Sequence, residues 1–192
     1  MNATLQTTAP LEDLNSQKLN RPCRELARLV QEGHLDVSPS YQRRSVWSQT
    51  QRVNLLASLM RGLPVPAIVM NDRWARRSEW ADDVAAYGLI DGKQRIETLI
   101  AWYDGELAVP ASWFPASGVV ETVSTEDGPY VTIQGLTRIE ANRTMMSWAL
   151  PTVECRLGSI AEEAAVFGLV NGGGVSQTAE DLARAAAVAE GR

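Results

Sequence analysis

The segment with the strongest chemical signature is LIDGKQR, residues 89–95, which combines one acid, two cations and an amide. Its apolar start predicts the end of a strand, Gly92 predicts a turn, and the polar residues after it predict the first turn of a helix. A helix N-terminus presents free N–H groups and a partial positive charge, and Arg95 can bind a phosphate through two parallel hydrogen bonds. The segment therefore predicts an anion site in which Asp91 holds a divalent metal or positions a nucleophile.

The spacing within this segment excludes a P-loop. Gly88 lies one residue too close to Gly92, and Gln94 stands where a serine or threonine would bind magnesium. Taken by itself, the heptapeptide also fits an ordinary helix that begins with an aspartate cap and carries cations on its surface. Other parts of the chain must decide between these two interpretations.

Periodicity and turn residues predict the elements that position this segment. Apolar runs at residues 64–70 and 86–90 predict buried strands, and residues 107–135 predict short strands or a meander. The predicted helices cover residues 24–32, residues 49–61 after a Ser48 cap, residues 93–103, a segment from a capping box at Ser159 and Glu162 to the glycines at 172–174, and an alanine-rich segment from Thr178.

The composition is that of one soluble globular domain. The 192 residues are 45% hydrophobic and 21% charged, and a chain of this length buries roughly 70% of its unfolded surface. The first residues lack periodicity, which predicts a flexible arm over residues 1–20 and a single domain over residues 21–192. No apolar run reaches the ~20 residues of a membrane span, and the N-terminus lacks a secretory signal. We therefore expect a cytoplasmic protein with no membrane partner.

The histidine and cysteine counts exclude several kinds of site. His34 is the only histidine, so a histidine-ligated zinc site or an HNH nuclease cannot be built from this chain alone. Cys23 and Cys155 are too few for a disulfide framework and too isolated for a zinc cluster. We expect both to be thiols of the core.

The charge is unevenly distributed along the chain. Residues 1–80 carry +4 and residues 81–192 carry -9, so the N-terminal half could contact phosphates although the whole chain is acidic. Its candidates for nucleic-acid contact are Arg73, Trp74, Arg76 and Arg77, in a polar insertion that fits a solvated hairpin equally well. We expect Trp47 to anchor its loop on the core rather than to stack on a base.

Segments in a fixed order resemble one known family. YQR at residues 41–43 with Trp47 precedes a helix and the turn GLPVP, DGKQR follows a strand, and FGLVNGGGV occupies residues 167–175. This order is similar to that of the domain-of-unknown-function-262 family, the N-terminal domain of GmrSD-type modification-dependent restriction enzymes, within the ParB/sulfiredoxin-like superfamily. The resemblance covers about residues 37–104 and 150–182. Lys93 replaces the usual first glutamine of the family motif.

The resemblance implies a compact α+β domain, a small mixed sheet flanked by helices. It also implies that the domain binds a nucleoside triphosphate with Mg2+, often hydrolyses it, and acts on or with DNA in phage–host conflict or DNA modification. Arg43 and Arg95 would neutralise phosphate charge in one pocket. The implied nucleotide-binding residues are Gln42, Arg43, Gly92, Lys93, Arg95, Asn171 and Gly173, the implied catalytic residues are Asp91, Gln94 and Arg95, and the implied metal ligand is Asp91.

The expected partners follow from the same resemblance. Many such proteins carry a C-terminal HNH nuclease domain, for which this chain lacks the histidines. We therefore expect a nucleotide, DNA, and a separate nuclease or effector subunit as partners, and leave homo-oligomerisation open. Nucleotide binding is a firmer expectation than turnover, because Lys93 could alter the hydrolytic step.

Three alternatives to a nucleotide hydrolase remain at this stage. One is phosphotransfer to a small-molecule or hydroxymethylated-base acceptor, since small-molecule kinases occur in the wider superfamily. Another is a magnesium-dependent nuclease, in which Asp82 or Asp83 joins Asp91 and Lys93 to bind the metal and orient a water. The last is a non-catalytic adaptor that senses nucleotide or binds a partner through its C-terminal helices.

Overall fold

A computed structural model describes Pro10 and residues 13–39 and 47–172 of the chain. The α-helices are α1 (Cys23–Gln31), α2 (Gln49–Met60), α3 (Lys93–Tyr103), α4 (Arg138–Ser147) and α5 (Ile160–Gly172). The strands are β1 (Gln17–Pro22), β2 (Leu35–Asp36), β3 (Ile68–Asp72), β4 (Tyr87–Asp91), β5 (Val109–Pro110), β6 (Val123–Thr125), β7 (Gly128–Val131) and β8 (Ala149–Cys155).

These strands form two sheets, and the α+β class is confirmed. The larger sheet has the order β1-β8-β3-β4-β2. It is mixed, because β1 and β8 as well as β3 and β4 pair antiparallel, whereas β3 with β8 and β2 with β4 pair parallel. A small antiparallel sheet of order β5-β7-β6 provides the short strands expected between residues 107 and 135.

Apolar side chains of β3 and β4 point alternately to the two faces of the larger sheet. Ile68, Met70 and Leu89 belong to the main core cluster with residues of α1, α2 and α3. Val69 and Ile90 instead belong to a second cluster, which includes Val166 of α5 and Cys155. Burial on both faces explains why these strands read as continuous apolar runs rather than as alternating ones.

Local signals begin and end the helices where the sequence predicts. Ser48 and Gln51 form a capping box at the start of α2: the Gln51 amide donates to Ser48 Oγ at 3.3 Å and the Ser48 amide donates to Gln51 Oε1 at 2.9 Å. Gly33, Gly62 and Gly105 follow α1, α2 and α3 with positive φ angles. The box at Ser159 is half formed, because the side chain of Glu162 accepts from Gly158 instead.

Other elements differ from the sequence-based expectation. Strand β1 begins at Gln17, so residues 17–20 of the predicted arm are paired with β8. Helix α4 and strand β8 were not predicted, and Pro151 disguises the latter because proline is rare inside a sheet. The alanine-rich helix predicted from Thr178 lies outside the described residues. No helix within the described ranges is long and apolar enough to cross a membrane.

The two cysteines give a direct check on the core. Cys23 is 0% and Cys155 2% exposed, as expected of core thiols, and burial raises the pKa of Cys23 to about 12 and also raises that of Cys155. Because the thiolate is the reactive form, we expect neither to react appreciably with a thiol reagent at about pH 8 until the protein is denatured. Rapid labelling of either cysteine in the native protein, measured by mass spectrometry, would contradict this packing.

Candidate functional site

The predicted strand, turn and helix at residues 89–95 form one continuous unit. Strand β4 ends at Asp91, Gly92 adopts φ +106° as the N-cap residue, and α3 begins at Lys93. A Cβ atom on Gly92 would lie 2.4 Å from Cγ2 of Ile68, so both the backbone conformation and the contact with β3 require glycine. Strand β3 thus fixes the start of α3.

A cleft of about 170 Å3 lies at the N-terminus of α3. Residues 90–95 line it together with Trp47, Phe167 and Asn171 within the described part of the chain. The helix receives no hydrogen bond from a side-chain cap at this end. Its N-terminal dipole therefore faces the cleft without a neutralising cap of its own.

All of the predicted nucleotide-site residues that the structure describes meet in this cleft. Asp91, Gly92, Lys93, Gln94, Arg95 and Asn171 all line it, although Asn171 is separated from the others by most of the C-terminal half of the chain. Gln42, Arg43 and Gly173 lie outside the described residues, so the predicted approach of Arg43 to Arg95 stays a prediction.

Arg95 is held against the floor of the cleft. Its Nη2 donates to Oδ2 of Asp91 at 2.8 Å and to the carbonyl of Ala67 at 3.2 Å, and its side chain is 12% exposed. Its Nε is buried and has no hydrogen-bond partner among the described residues. A buried donor without an acceptor is unfavourable by about 1–3 kcal/mol, so an acceptor brought to this N–H would be stabilising.

Lys93 and Gln94 form hydrogen bonds with residues that precede α2. Lys93 Nζ donates to Oγ of Ser38 at 2.8 Å, and Oε1 of Gln94 accepts from the backbone amide of Trp47 at 2.9 Å. Trp47 also packs against the main core cluster. This contact agrees with the anchoring role expected for Trp47, which also lines the cleft.

Among the described residues, Asp91 lacks companions that would complete a metal site. It is the single carboxylate among the described residues that line the cleft, and the same part of the chain contains no group of three histidine, cysteine or acidic side chains able to hold a metal. Mg2+ commonly binds through one or two carboxylates together with substrate phosphates. The donor set therefore fits magnesium carried by a nucleotide and does not fit a dedicated metal centre.

The predicted nucleic-acid residues separate into a buried arginine and an exposed group. The Arg73 side chain is 2% exposed and forms an ion pair with Glu163 at 2.8 Å, so this residue is part of the core and not of a DNA surface. Trp74 is 67% exposed. Arg76 pairs with Glu79 at 2.7 Å, and Arg77 donates to backbone carbonyls while it lies 5.9 Å from the centre of the Trp74 ring.

The partner of Arg73 belongs to a buried polar network that sequence reasoning missed. Nε and Nη2 of Arg73 donate to the two carboxylate oxygens of Glu163, each at 2.8 Å. Nδ2 of Asn71 donates to the same carboxylate at 2.9 Å, and the Trp80 ring lies 4.6 Å from the Arg73 guanidinium. A Cβ on Gly88 would lie 2.5 Å from Arg73 Nη2. The one sign of this network in the sequence is that the polar residues Asn71 and Arg73 lie at the end of the apolar strand β3.

Comparison with known proteins identifies the family. The model of the GmrSD restriction endonuclease N-terminal domain matches residues 26–188. The chain belongs to this family. The match extends across the cleft and across α4, which lies outside the ranges that the sequence resemblance covered, and it confirms the suspected resemblance. Neither a curated protein nor a solved structure gives a significant match to this GmrSD N-terminal domain, so its place in the ParB/sulfiredoxin-like superfamily stays a prediction.

Gly92→Ala tests whether α3 is fixed by its contact with Ile68. Its matched control is Gly33→Ala, because Gly33 also has a positive φ and a Cβ added there would meet no atom within 4 Å. In each variant the left-handed conformation of the new alanine lowers the free energy of unfolding by roughly 1–2 kcal/mol. We expect Gly92→Ala to lower the free energy of unfolding by about 1–3 kcal/mol more, because its Cβ overpacks against Ile68. Urea unfolding measures the difference. Equal losses would show that the contact with Ile68 is unimportant.

Proposed function

We propose that this GmrSD N-terminal domain binds a nucleoside triphosphate together with Mg2+ in the cleft at the start of α3, and that it acts on or with DNA in restriction and phage defence. The family supports the biological setting. The buried Nε of Arg95, which lacks an acceptor among the described residues, is the observation that carries the nucleotide assignment. A phosphate oxygen supplies that acceptor and also interacts favourably with the uncapped helix N-terminus.

Each group in the cleft has a role in this proposal. The phosphates bind at the start of α3, where Lys93 and Arg95 supply positive charge. Asp91 would hold the Mg2+ that arrives with the nucleotide, and the ion would neutralise charge on the phosphates. Asn171, together with Arg43, Gln42 and Gly173 from outside the described residues, completes the site.

We further propose that the domain hydrolyses the bound nucleotide. Asp91 positions the attacking group, Arg95 stabilises the charge that develops on the phosphate, and Gln94 orients the site through its hydrogen bond to the Trp47 amide. Transfer of labelled γ-phosphate to water rather than to an added hydroxyl acceptor distinguishes this activity from phosphotransfer. Binding without turnover would instead favour the adaptor hypothesis.

The nuclease alternative receives no support from the geometry. It requires Asp82 or Asp83 to approach Asp91, but neither lines the cleft that Asp91 lines. The Asp82 side chain is fully exposed and lies 3.5 Å from Nη2 of Arg77. We therefore assign DNA cleavage to a separate nuclease or effector subunit, and we place the complex in the cytoplasm, where incoming DNA is restricted.

We propose that the segment Arg73–Glu79 contacts DNA. Arg73 is excluded from this contact because it is buried. Trp74 offers an exposed ring for stacking, with Arg77 beside it. The local ion pair of Arg76 with Glu79 reduces its attraction for phosphate. Stacking on Trp74 therefore contributes more than charge to this contact.

Lys93→Ala tests the nucleotide site, and Lys18→Ala is its control. These are the only lysines of the chain, and Lys18 is exposed on β1, away from the cleft. By isothermal titration calorimetry with ATP, GTP, CTP and UTP plus Mg2+, we expect Lys93→Ala to weaken binding by about tenfold and Lys18→Ala to change it less than about twofold. No binding of any of these nucleotides by the wild-type protein would refute the proposal.

The same two lysines allow a measurement without mutation. Reductive methylation modifies exposed amines, and mass spectrometry reports each lysine separately. We expect the bound nucleotide with Mg2+ to slow modification of Lys93 at least about fivefold while Lys18 reacts at an unchanged rate. Equal rates at Lys93 with and without a nucleotide that binds would place that nucleotide elsewhere on the protein.

Trp74→Ala tests the DNA contact, with Arg138→Ala as a control that removes an exposed cation from α4. Because loss of one stacked base is unfavourable by roughly 1–3 kcal/mol, we expect Trp74→Ala to weaken binding to a fluorescent single strand at least about fivefold by anisotropy. Arg138→Ala should have a smaller effect that disappears as salt is raised. Identical affinities for the wild type and Trp74→Ala would remove this segment from the interface.

A further inference from the structure

We infer that Glu163 and Arg73 are positioning residues of the cleft: their buried ion pair fixes α5 on the sheet and thereby places Phe167 and Asn171 at the ligand site. The inference rests on the proposed function, because it gives a role in nucleotide binding to residues that lie outside the cleft. Neither residue is among those that line it.

The spacing along α5 connects the ion pair to the cleft. Glu163, Phe167 and Asn171 follow one another at intervals of four residues, which places them along one face of the helix. At 1.5 Å per residue, Asn171 lies about 12 Å along the axis from Glu163. Asn171 Nδ2 also donates to the carbonyl of Phe167 at 3.0 Å. The position of this face in the cleft is therefore set by where Glu163 is held.

The network holds Glu163 in one orientation. Both carboxylate oxygens accept from Arg73, and one of them also accepts from Asn71. Asn71 is itself fixed, since its Nδ2 donates to the carbonyl of Leu157 at 3.1 Å and its Oδ1 accepts from the Leu157 amide at 2.7 Å. Rotation or translation of α5 would separate a carboxylate that is 0% exposed from these donors.

Apolar packing alone would hold α5 less specifically. Val166 and Phe167 contact the second core cluster, but such contacts are non-directional and permit a helix to slide or rotate with modest loss. A bidentate pair of arginine and carboxylate has a fixed geometry, and a charge without its partner is strongly unfavourable in the interior. The ion pair therefore selects a single position for the wall of the cleft formed by α5.

The test compares two carboxylates that pair with arginines: the partner of Glu163 directly follows β3, and the partner of Glu154 lies on β1. Glu163→Gln removes the charge from the network and nearly preserves the side-chain volume. Glu154→Gln is the control, because Glu154 pairs with Arg21 on β1, is 11% exposed and does not line the cleft. Gly88→Ala is a second variant, since its Cβ would displace the Arg73 and Glu163 side chains without removing either charge.

Two measurements report on the position of α5 and on its consequence. Hydrogen exchange of the amides of residues 164–171 reports how firmly the helix is held. Calorimetry reports affinity for whichever of ATP, GTP, CTP and UTP the wild type binds with Mg2+, below the melting temperature of each variant. A double mutant with Asn171→Ala then shows whether Glu163 acts through Asn171, which a general loss of stability would not mimic.

We expect Glu163→Gln and Gly88→Ala to speed exchange in α5 and to weaken nucleotide binding about tenfold, and Glu154→Gln to change binding less than about twofold. Asn171→Ala should weaken binding in the wild type and add little in Glu163→Gln. Wild-type affinity in Glu163→Gln and Gly88→Ala, unchanged exchange in α5, or additive effects with Asn171→Ala would overturn the inference while leaving nucleotide binding intact. A wild type that binds none of the nucleotides would instead refute the proposed function, and this inference with it.

Discussion

The architecture around the cleft depends on one buried pair of opposite charges, Arg73 and Glu163, between the sheet and α5. Removal of two charges from water is unfavourable by several kcal/mol each, so such a pair persists only where hydrogen bonds satisfy it. Here Asn71 supplies a further donor, the ring of Trp80 lies over the guanidinium, and Gly88 leaves space where any side chain would collide. The result is one permitted arrangement of sheet and helix, which apolar contacts alone would not define.

Elements with strong local signals could be predicted from the sequence. The cap at Ser48, the positive φ glycines and the helical spacing of α1, α2 and α3 all act within a few residues. Strand β1 is recognisable only through its pairing with β8, whose residues lie more than a hundred positions away, and β8 itself contains Pro151. Long-range pairing leaves no local periodicity in a polar edge strand such as β1, and proline interrupts the pattern of β8. Neither strand could therefore be found from local patterns.

The candidate site divides in the same way. Residues 91–95 are contiguous, so their types and order indicated a common site directly, whereas the position of Asn171 was suggested only by the family motif and agrees with the structure. Arg73 was misassigned because it lies among exposed tryptophan and arginine residues in the sequence. Its actual partner is 90 residues away on α5, and no spacing rule connects them.

Because Gly92 packs against Ile68, the cleft consists of two parts that come from different segments of the chain. Its floor is a single strand–turn–helix unit that cannot shift without disturbing β3. Its walls come from Trp47, two residues before α2, and from the last turns of α5, which reach the cleft from distant parts of the chain. Substitutions in those walls would change the shape of the cleft without disturbing Gly92 or Ile68 beneath it. The strand, turn and helix at its base therefore tolerate fewer substitutions than the walls do.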